Sequence, residues 1–272
     1  MSREPRRCVF CGEIADSREH LFPEWLQDLF DDPEPIVYVR QVGSEELRFP
    51  RRRFSERTRC VCTSCNHGWL SRLEDATKSA LAPAVTRTAP LALDLGSQWI
   101  AAHWATKTSY VFQTLGPELL TRPINPQLLR INLRPPPEVS VFLGSHYRAL
   151  SDPANSLYVQ KPLWVALEGE AGQALFGYIA FIAVGGISFL VAEHRIGRYV
   201  EIVLGPMFNE LFTKIWPHAS RVVSWPPPLQ MDSKLLDDLF LDSTPPSFDA
   251  RPFDLPAHAM VLAADSAAYD ES

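Results

Sequence analysis

The chain has 272 residues, with 26 Lys or Arg against 32 Asp or Glu and a formal net charge of -6. This balance excludes a generally basic nucleic-acid binder, so any contact with a polyanion must use a local patch. The length is enough for two domains with separate cores. The N-terminal segment lacks the apolar run of a secretory signal, which predicts a cytoplasmic protein.

The first motifs along the chain are cysteine pairs. All five cysteines lie before residue 66, an arrangement more typical of metal ligands than of disulfides in a reducing compartment. Cys8 and Cys11, like Cys62 and Cys65, are separated by two residues, so both thiolates of a pair can face one ion. Four thiolates predict a closed, structural zinc site. Cys60 is then a spare thiol, or it replaces Cys62; unligated buried cysteines are the alternative to the whole site.

An acidic residue and a histidine stand side by side in SREHLFPEWL, residues 17–26, which continues into a short amphipathic helix. Glu19 offers the hard oxygen that Mg2+ or Mn2+ prefers, and His20 would point to the opposite face of an extended segment. His20 can therefore act as a general base towards water, with Glu19 and Asn66 as oxygen ligands of a catalytic cation. In the alternative, Glu19 pairs with an arginine and His20 caps a backbone group.

An arginine-rich segment, RFPRRRFSERTR at residues 48–59, directly precedes the second cysteine pair. Guanidinium groups suit phosphate oxygens, so Arg51, Arg52 and Arg53 are expected to contact a nucleic-acid backbone. The alternative is a solvated loop that pairs with acidic residues at 31–34 and 45–46.

The residues after Cys65 predict an amphipathic helix that begins near Asn66. Its apolar stripe consists of Trp69, Leu70, Leu73, Thr77, Ala80 and Leu81. His67 is open to three interpretations: a further metal ligand, a phosphate contact or a helix-start residue. Glu74 is eight residues beyond Asn66, roughly 12 Å along a helix axis, and is therefore assigned to the helix surface.

Together these motifs resemble the HNH, or ββα-metal, nucleases, especially their zinc-stapled branch that includes the phage endonuclease VII resolvases. The resemblance covers about residues 8–80 and rests on the two cysteine pairs, on Glu19-His20-Leu21-Phe22-Pro23, and on Asn66 directly after Cys65. It implies a treble-clef-like domain in which His20 is the general base, Glu19 and Asn66 hold Mg2+, and the four cysteines hold zinc. In that family the position of Glu19 is more often Asp.

Beyond residue 95 the pattern changes to a long helix and several strands. SQWIAAHWATKTSYVFQTLG, with Ser97 as a possible N-cap, predicts a linking helix. Residues 174–192 carry no charge and are long enough to span a bilayer, yet Gly185-Gly186 favours a hairpin of two buried strands. A further helix is predicted over MFNELFTKIW, residues 207–216.

We therefore predict an α+β protein: a zinc-bound ββα-metal domain at 5–85, a linking helix and an antiparallel-sheet domain within 95–245, and a flexible tail at 246–272. The predicted activity is metal-dependent hydrolysis of phosphodiester bonds in nucleic acid, with DNA favoured and no membrane contact. The C-terminal domain has a role that the sequence leaves open, and it is expected to select a substrate, to bind a protein partner or to form a homodimer. The alternative function is a non-catalytic zinc module that binds nucleic acid or a protein partner, which Glu19 in place of Asp favours.

Overall fold

The computed structural model describes residues 5–30, 36–42, 45–51, 54–115, 125–147, 156–167, 173–194, 200–204, 206–218, 220–232, 234–235 and 248–252. In these ranges the chain combines helices with mostly antiparallel sheets, which confirms the α+β class. Arg52 and Arg53, the side chain of Arg51, and the acidic side chains expected to pair with them lie outside the described part.

The N-terminal part is built on two antiparallel strand pairs. Its elements are β1 (Ser17–His20), α1 (Trp25–Leu29), β2 (Ile36–Val42), β3 (Glu45–Arg51), β4 (Arg57–Val61), α2 (Thr63–Cys65), a π-helical turn (Asn66–Leu70) and α3 (Ser71–Val85). Strand β1 pairs with β4, and β2 pairs with β3. In the sequence, the β2–β3 hairpin therefore lies between β1 and β4, the two strands of the first pair.

The helix expected after Cys65 is confirmed, with a bend at Gly68, whose φ of -96° and ψ of -107° are not helical. The bend separates the π-helical turn from the regular part of α3. Most of the predicted apolar stripe is buried, namely Trp69, Leu70, Leu73, Thr77 and Leu81. One face of this helical segment thus packs into the core, as its three- and four-residue spacing predicts.

The C-terminal part is organised around a seven-stranded sheet in the order β10-β13-β7-β8-β9-β6-β11. Its elements are β5 (Leu91–Asp94), α4 (Leu95–Gln113), α5 (Pro126–Asn132), β6 (Val139–Ser145), β7 (Ser156–Leu167), β8 (Gln173–Val184), β9 (Ile187–His194), β10 (Val200–Leu204), α6 (Pro206–Leu211), β11 (Phe212–Trp216), β12 (Val222–Trp225) and β13 (Phe248–Pro252). Neighbouring strands are antiparallel except β13 and β7. Strands β5 and β12 form a separate pair.

The uncharged segment at 174–192 forms the predicted hairpin of β8 and β9. Gly185 lies in its turn with a φ of +61°, a conformation that favours glycine. Alternate residues of β9 pack on opposite faces of the sheet, Phe189 and Val191 on one and Leu190 and Ala192 on the other. Burial on both faces explains the continuous apolar sequence. Among the described residues, no helix has the length and apolar character needed to cross a membrane.

Helix α4, which the sequence predicts as a linking helix, is a buried helix of the core. Its side chains are buried on nearly all sides from Ala101 to Val111, and it packs against α3 and against strands of the seven-stranded sheet. Its N-cap is Asp94, which accepts a hydrogen bond from the backbone NH of Ser97, so the predicted cap at Ser97 is wrong by three residues.

Two further predictions for the C-terminal part need correction. The helix expected over residues 207–216 ends at Leu211, because the next five residues form β11 and hydrogen-bond to β6. The expected tail begins too early: residues 248–252 form β13 between β10 and β7. Residues 253–272 lie outside the described part.

One buried apolar cluster extends through both parts of the chain. It contains Phe10, Leu26 and Trp69 from the N-terminal part together with Trp104 of α4 and Phe189 of β9. Gly186 at the β8–β9 turn also donates its backbone NH to the carbonyl oxygen of Val85 at the end of α3. The predicted boundary near residue 85 therefore lies within a continuous core.

Candidate functional site

Four cysteines meet at the N-terminal end of the molecule. The Sγ atoms of Cys8, Cys11, Cys62 and Cys65 all lie within 4.8 Å of one another, and those of Cys11 and Cys62 are 3.5 Å apart. Tetrahedral zinc with Zn–S bonds of about 2.3 Å requires sulfur atoms in such proximity. The predicted ligand set therefore fits a metal ion such as zinc, and four protein ligands would leave no open coordination position.

Local hydrogen bonds shape both cysteine turns. Gly12, with a φ of +77°, donates to the carbonyl oxygen of Cys8 and closes the first turn. In the second turn, the carboxylate of Asp16 accepts from both the backbone NH and the hydroxyl of Thr63, at 2.7 and 3.1 Å. Asp16 was not among the predicted site residues, and no local pattern indicates this contact because its partner is 47 residues away.

Cys60 is not part of the cluster. It is buried in the apolar core, and this burial raises the pKa of its thiol to about 12. Cys60 thus remains a neutral thiol at physiological pH, which agrees with its prediction as the spare cysteine.

His20 is the last residue of β1 and is paired in register with Arg57 of β4. Arg57 Nε donates to His20 Nε2 over 2.7 Å, and a terminal nitrogen of Arg57 lies 3.6 Å from the carboxylate of Glu24. Burial, followed by the positive charge of Arg57, lowers the pKa of His20 below its ordinary value. His20 is therefore a neutral, half-buried imidazole with its proton on Nδ1.

Glu19 lies in a buried cluster with a lysine that the sequence did not single out. Lys107 Nζ donates to Oε1 of Glu19 over 2.8 Å and to Oε1 of Glu74 over 2.9 Å. The side chain of Lys107 is 0% exposed, that of Glu19 4% and that of Glu74 22%. Glu74 is thus a partner of α4, and its assignment to the helix surface is wrong. Although burial acts to lower it, the two carboxylates raise the pKa of Lys107.

Asn66 is fixed against the start of β1. Its Nδ2 donates to the hydroxyl of Ser17 over 2.8 Å and to the carbonyl oxygen of Arg18 over 3.2 Å. These two contacts use the amide hydrogens and leave the carboxamide oxygen outside both bonds. Asn66 is therefore a hydrogen-bond donor to the start of β1, and its carboxamide oxygen takes part in neither bond.

The expected catalytic Mg2+ or Mn2+ does not fit these residues. The carboxylate of Glu19 is buried and already bonded to the ammonium group of Lys107, which would repel a cation placed beside it. Within the described ranges, the four cysteines are the only group of three or more His, Cys, Asp or Glu side chains gathered closely enough for a metal ion. Neither Glu19 with His20 nor Glu19 with Glu74 extends to such a group.

The basic side chains of the N-terminal part are only partly described. Arg18, Arg48 and Arg59 are exposed, as is His67 in the π-helical turn. The cysteine cluster does not include His67. His67 therefore remains available for contact with a phosphate.

Comparisons with protein-family models, with curated proteins and with solved structures give no match to this chain.

Proposed function

We propose that the protein is an HNH-type endonuclease that hydrolyses phosphodiester bonds of nucleic acid, with DNA favoured over RNA. The observation that carries this proposal is the pair of His20 and Arg57, a neutral imidazole beside a guanidinium on a strand pair next to the cysteine cluster. The sequence resemblance to the zinc-stapled nucleases supports the same function, with the four cysteines as its structural zinc site.

His20 would act as the general base. A neutral imidazole accepts a proton from water as the water oxygen attacks phosphorus; the bond from phosphorus to the leaving oxygen then breaks, and the leaving oxygen takes a proton from solvent. In the resting arrangement, the lone pair of Nε2 accepts a hydrogen bond from Arg57 and Nδ1 carries the imidazole proton. Neither nitrogen can therefore accept a proton from water. Arg57 must turn away first, and an arriving phosphate is a strong competitor for its guanidinium group.

Arg57 would then hold the phosphate. Its charge opposes the negative charge that develops on the phosphate oxygens during the attack. His67 and the arginines Arg51, Arg52 and Arg53 are proposed to contact the nucleic-acid backbone further from the reacting bond. These contacts position the substrate without reading its sequence.

A second candidate function is a non-catalytic zinc module that binds nucleic acid or a protein partner. The buried contact between Glu19 and Lys107 favours it, since the carboxylate that the nuclease resemblance assigns to a cation is occupied. The C-terminal sheet would then supply the surface for a protein partner or a second copy of the chain.

The test is cleavage of supercoiled plasmid and of single-stranded DNA and RNA, in Mg2+, in Mn2+ and without added cation. The natural protein is compared with His20→Ala and with a control, His218→Ala, whose histidine lies beyond β11 and is exposed. All three proteins must carry the same zinc content. We expect cleavage by the natural protein and by the control but not by His20→Ala. Binding without cleavage by all three would instead support the zinc module.

A further inference from the structure

Lys107 is a fully buried lysine in the middle of α4. A lysine is rarely buried completely, because removing an ammonium group from water costs several kcal/mol unless opposite charges surround it. Here the charges come from two other elements, Glu19 of β1 and Glu74 of α3. One ammonium therefore joins three elements that are far apart in the sequence.

This ammonium lies where the nuclease resemblance expects a divalent cation. Lys107 Nζ is at hydrogen-bond distance from the Glu19 carboxylate, 2.8 Å, and is shielded from water on all sides. A divalent cation bound to Glu19 would be only a few ångströms from this positive charge in a poorly solvated site. Lys107 and such a cation cannot both be stable partners of Glu19.

We infer that Lys107, and not a divalent cation, is the permanent cationic partner of Glu19, and that it acts as a positioning residue for the strand that ends in His20. Glu19 immediately precedes His20, so holding Glu19 against α4 limits the movement of the histidine backbone. The role in positioning His20 rests on the proposed function, whereas the charge assignment does not.

The experiment compares Lys107→Met, Glu19→Gln and the double variant in the zinc-loaded full chain. Lys107→Met leaves the carboxylates of Glu19 and Glu74 without their cation and should lower Tm by about 10 °C, whereas Glu19→Gln leaves Lys107 paired with Glu74 and should lower Tm less. The double variant leaves only the partly exposed carboxylate of Glu74 without a partner and should recover at least half of the loss seen in Lys107→Met. Two exposed positions on α3 give matched controls, Lys78→Met and Asp75→Asn, which should leave Tm within about 2 °C of the natural value.

Two further measurements report on the position of His20 and on cation binding at Glu19, independently of the stability of the fold. The Cε1–H resonance of His20, assigned by its loss in His20→Ala, should move in each folded single variant, return towards its natural position in the double variant and stay unchanged in the controls. Mn2+ binding, followed by electron paramagnetic resonance, should be the same for the natural protein and Glu19→Gln.

The inference would be overturned if Glu19→Gln kept the natural Tm but lost Mn2+ binding, since Glu19 would then be a cation ligand. Additive losses of Tm in the double variant would also contradict it, because they would mean that the two charges are not coupled. An unmoved His20 resonance would remove the positioning role. None of these measurements needs nucleic-acid cleavage, so a protein that never cuts can still pass them.

Discussion

Arg57 and His20 are paired through both backbone and side chain. They are opposite each other in the β1–β4 register, and Arg57 Nε donates to His20 Nε2 over 2.7 Å. The backbone pairing brings the side chains together, so the contact does not depend on one long side chain reaching across the surface. Their chemistry is complementary for phosphoryl transfer, since one group can accept a proton and the other can hold an anion.

Replacing Arg57 should weaken nucleic-acid binding. We expect Arg57→Leu to reduce affinity about tenfold and to lower the slope of log K against log salt by about 1, because one phosphate contact is lost. Fluorescence anisotropy with a short labelled duplex at several salt concentrations measures both. Arg130→Leu changes an exposed arginine of α5 and should alter neither quantity. An unchanged salt slope in Arg57→Leu would argue against a phosphate contact at this residue.

The cysteine cluster predicts that replacing Cys62, but not Cys60, removes zinc from the protein. Cys62→Ser should abolish stoichiometric zinc binding and lower Tm strongly, because a metal ion held by the four cysteines would join residues 8 and 11 to the second cysteine turn. Cys60→Ala removes a buried thiol outside the cluster and should retain one zinc per chain. Zinc is measured by elemental analysis after gel filtration. Loss of zinc from both variants would place Cys60 in the ligand set.

His103 predicts a loss of stability in acid. Its ring is stacked on Trp69 with centroids 5.4 Å apart, and burial lowers its pKa to about 3 from an ordinary value of 6.5. Because the unfolded chain takes up this proton first, the free energy of unfolding should fall as the pH decreases from about 6.5 towards 3. The maximal slope from this single group is about 1.4 kcal/mol per pH unit.

His103→Phe keeps an aromatic ring against Trp69 and removes the titrating group. Urea unfolding between pH 7 and pH 5 should give a flatter pH dependence for this variant than for the natural protein. Proton competition at the cysteines affects both proteins equally, so the difference isolates His103. Identical slopes would mean that His103 does not contribute.

Gly185 is predicted to be intolerant of a side chain. Its φ is positive, and an added Cβ would collide with the carbonyl oxygen of Val85. Gly185→Ala should therefore lower the free energy of unfolding by about 2 kcal/mol or more. Gly96→Ala is the matched control in the first turn of α4, where the nearest atom would be at an ordinary 3.6 Å. Equal stability of the two variants in urea unfolding would contradict the close packing of the hairpin turn on α3.

The features predicted correctly from the sequence depend on short-range patterns. The cysteine spacing, the stripe from Trp69 to Leu81 and the Gly185-Gly186 turn each involve neighbouring residues whose geometry is fixed by local backbone conformation. Glu19 and His20 lie on β1, and Asn66 hydrogen-bonds to Ser17 and Arg18 at the start of that strand.

The missed features depend on contacts across the chain. Lys107 contacts a carboxylate 88 residues away and another 33 residues away, and helical spacing alone does not reveal such partners. Glu74 is distant from Asn66 along the helix, but the packing of α4 against α3 brings it within hydrogen-bond distance of Lys107. Similarly, Phe212 to Trp216 has a helical pattern but pairs with β6, because tertiary hydrogen bonds override local preference.

The most direct test of the proposed nuclease is the ratio of first-order cleavage rates of the natural protein and His20→Ala on the same nucleic acid, at equal zinc content. We predict that the natural protein cleaves at least about 100-fold faster, the usual contribution of a general base. Equal rates for the two proteins, or no cleavage by either on DNA and RNA, would contradict the assignment of His20 as the catalytic base.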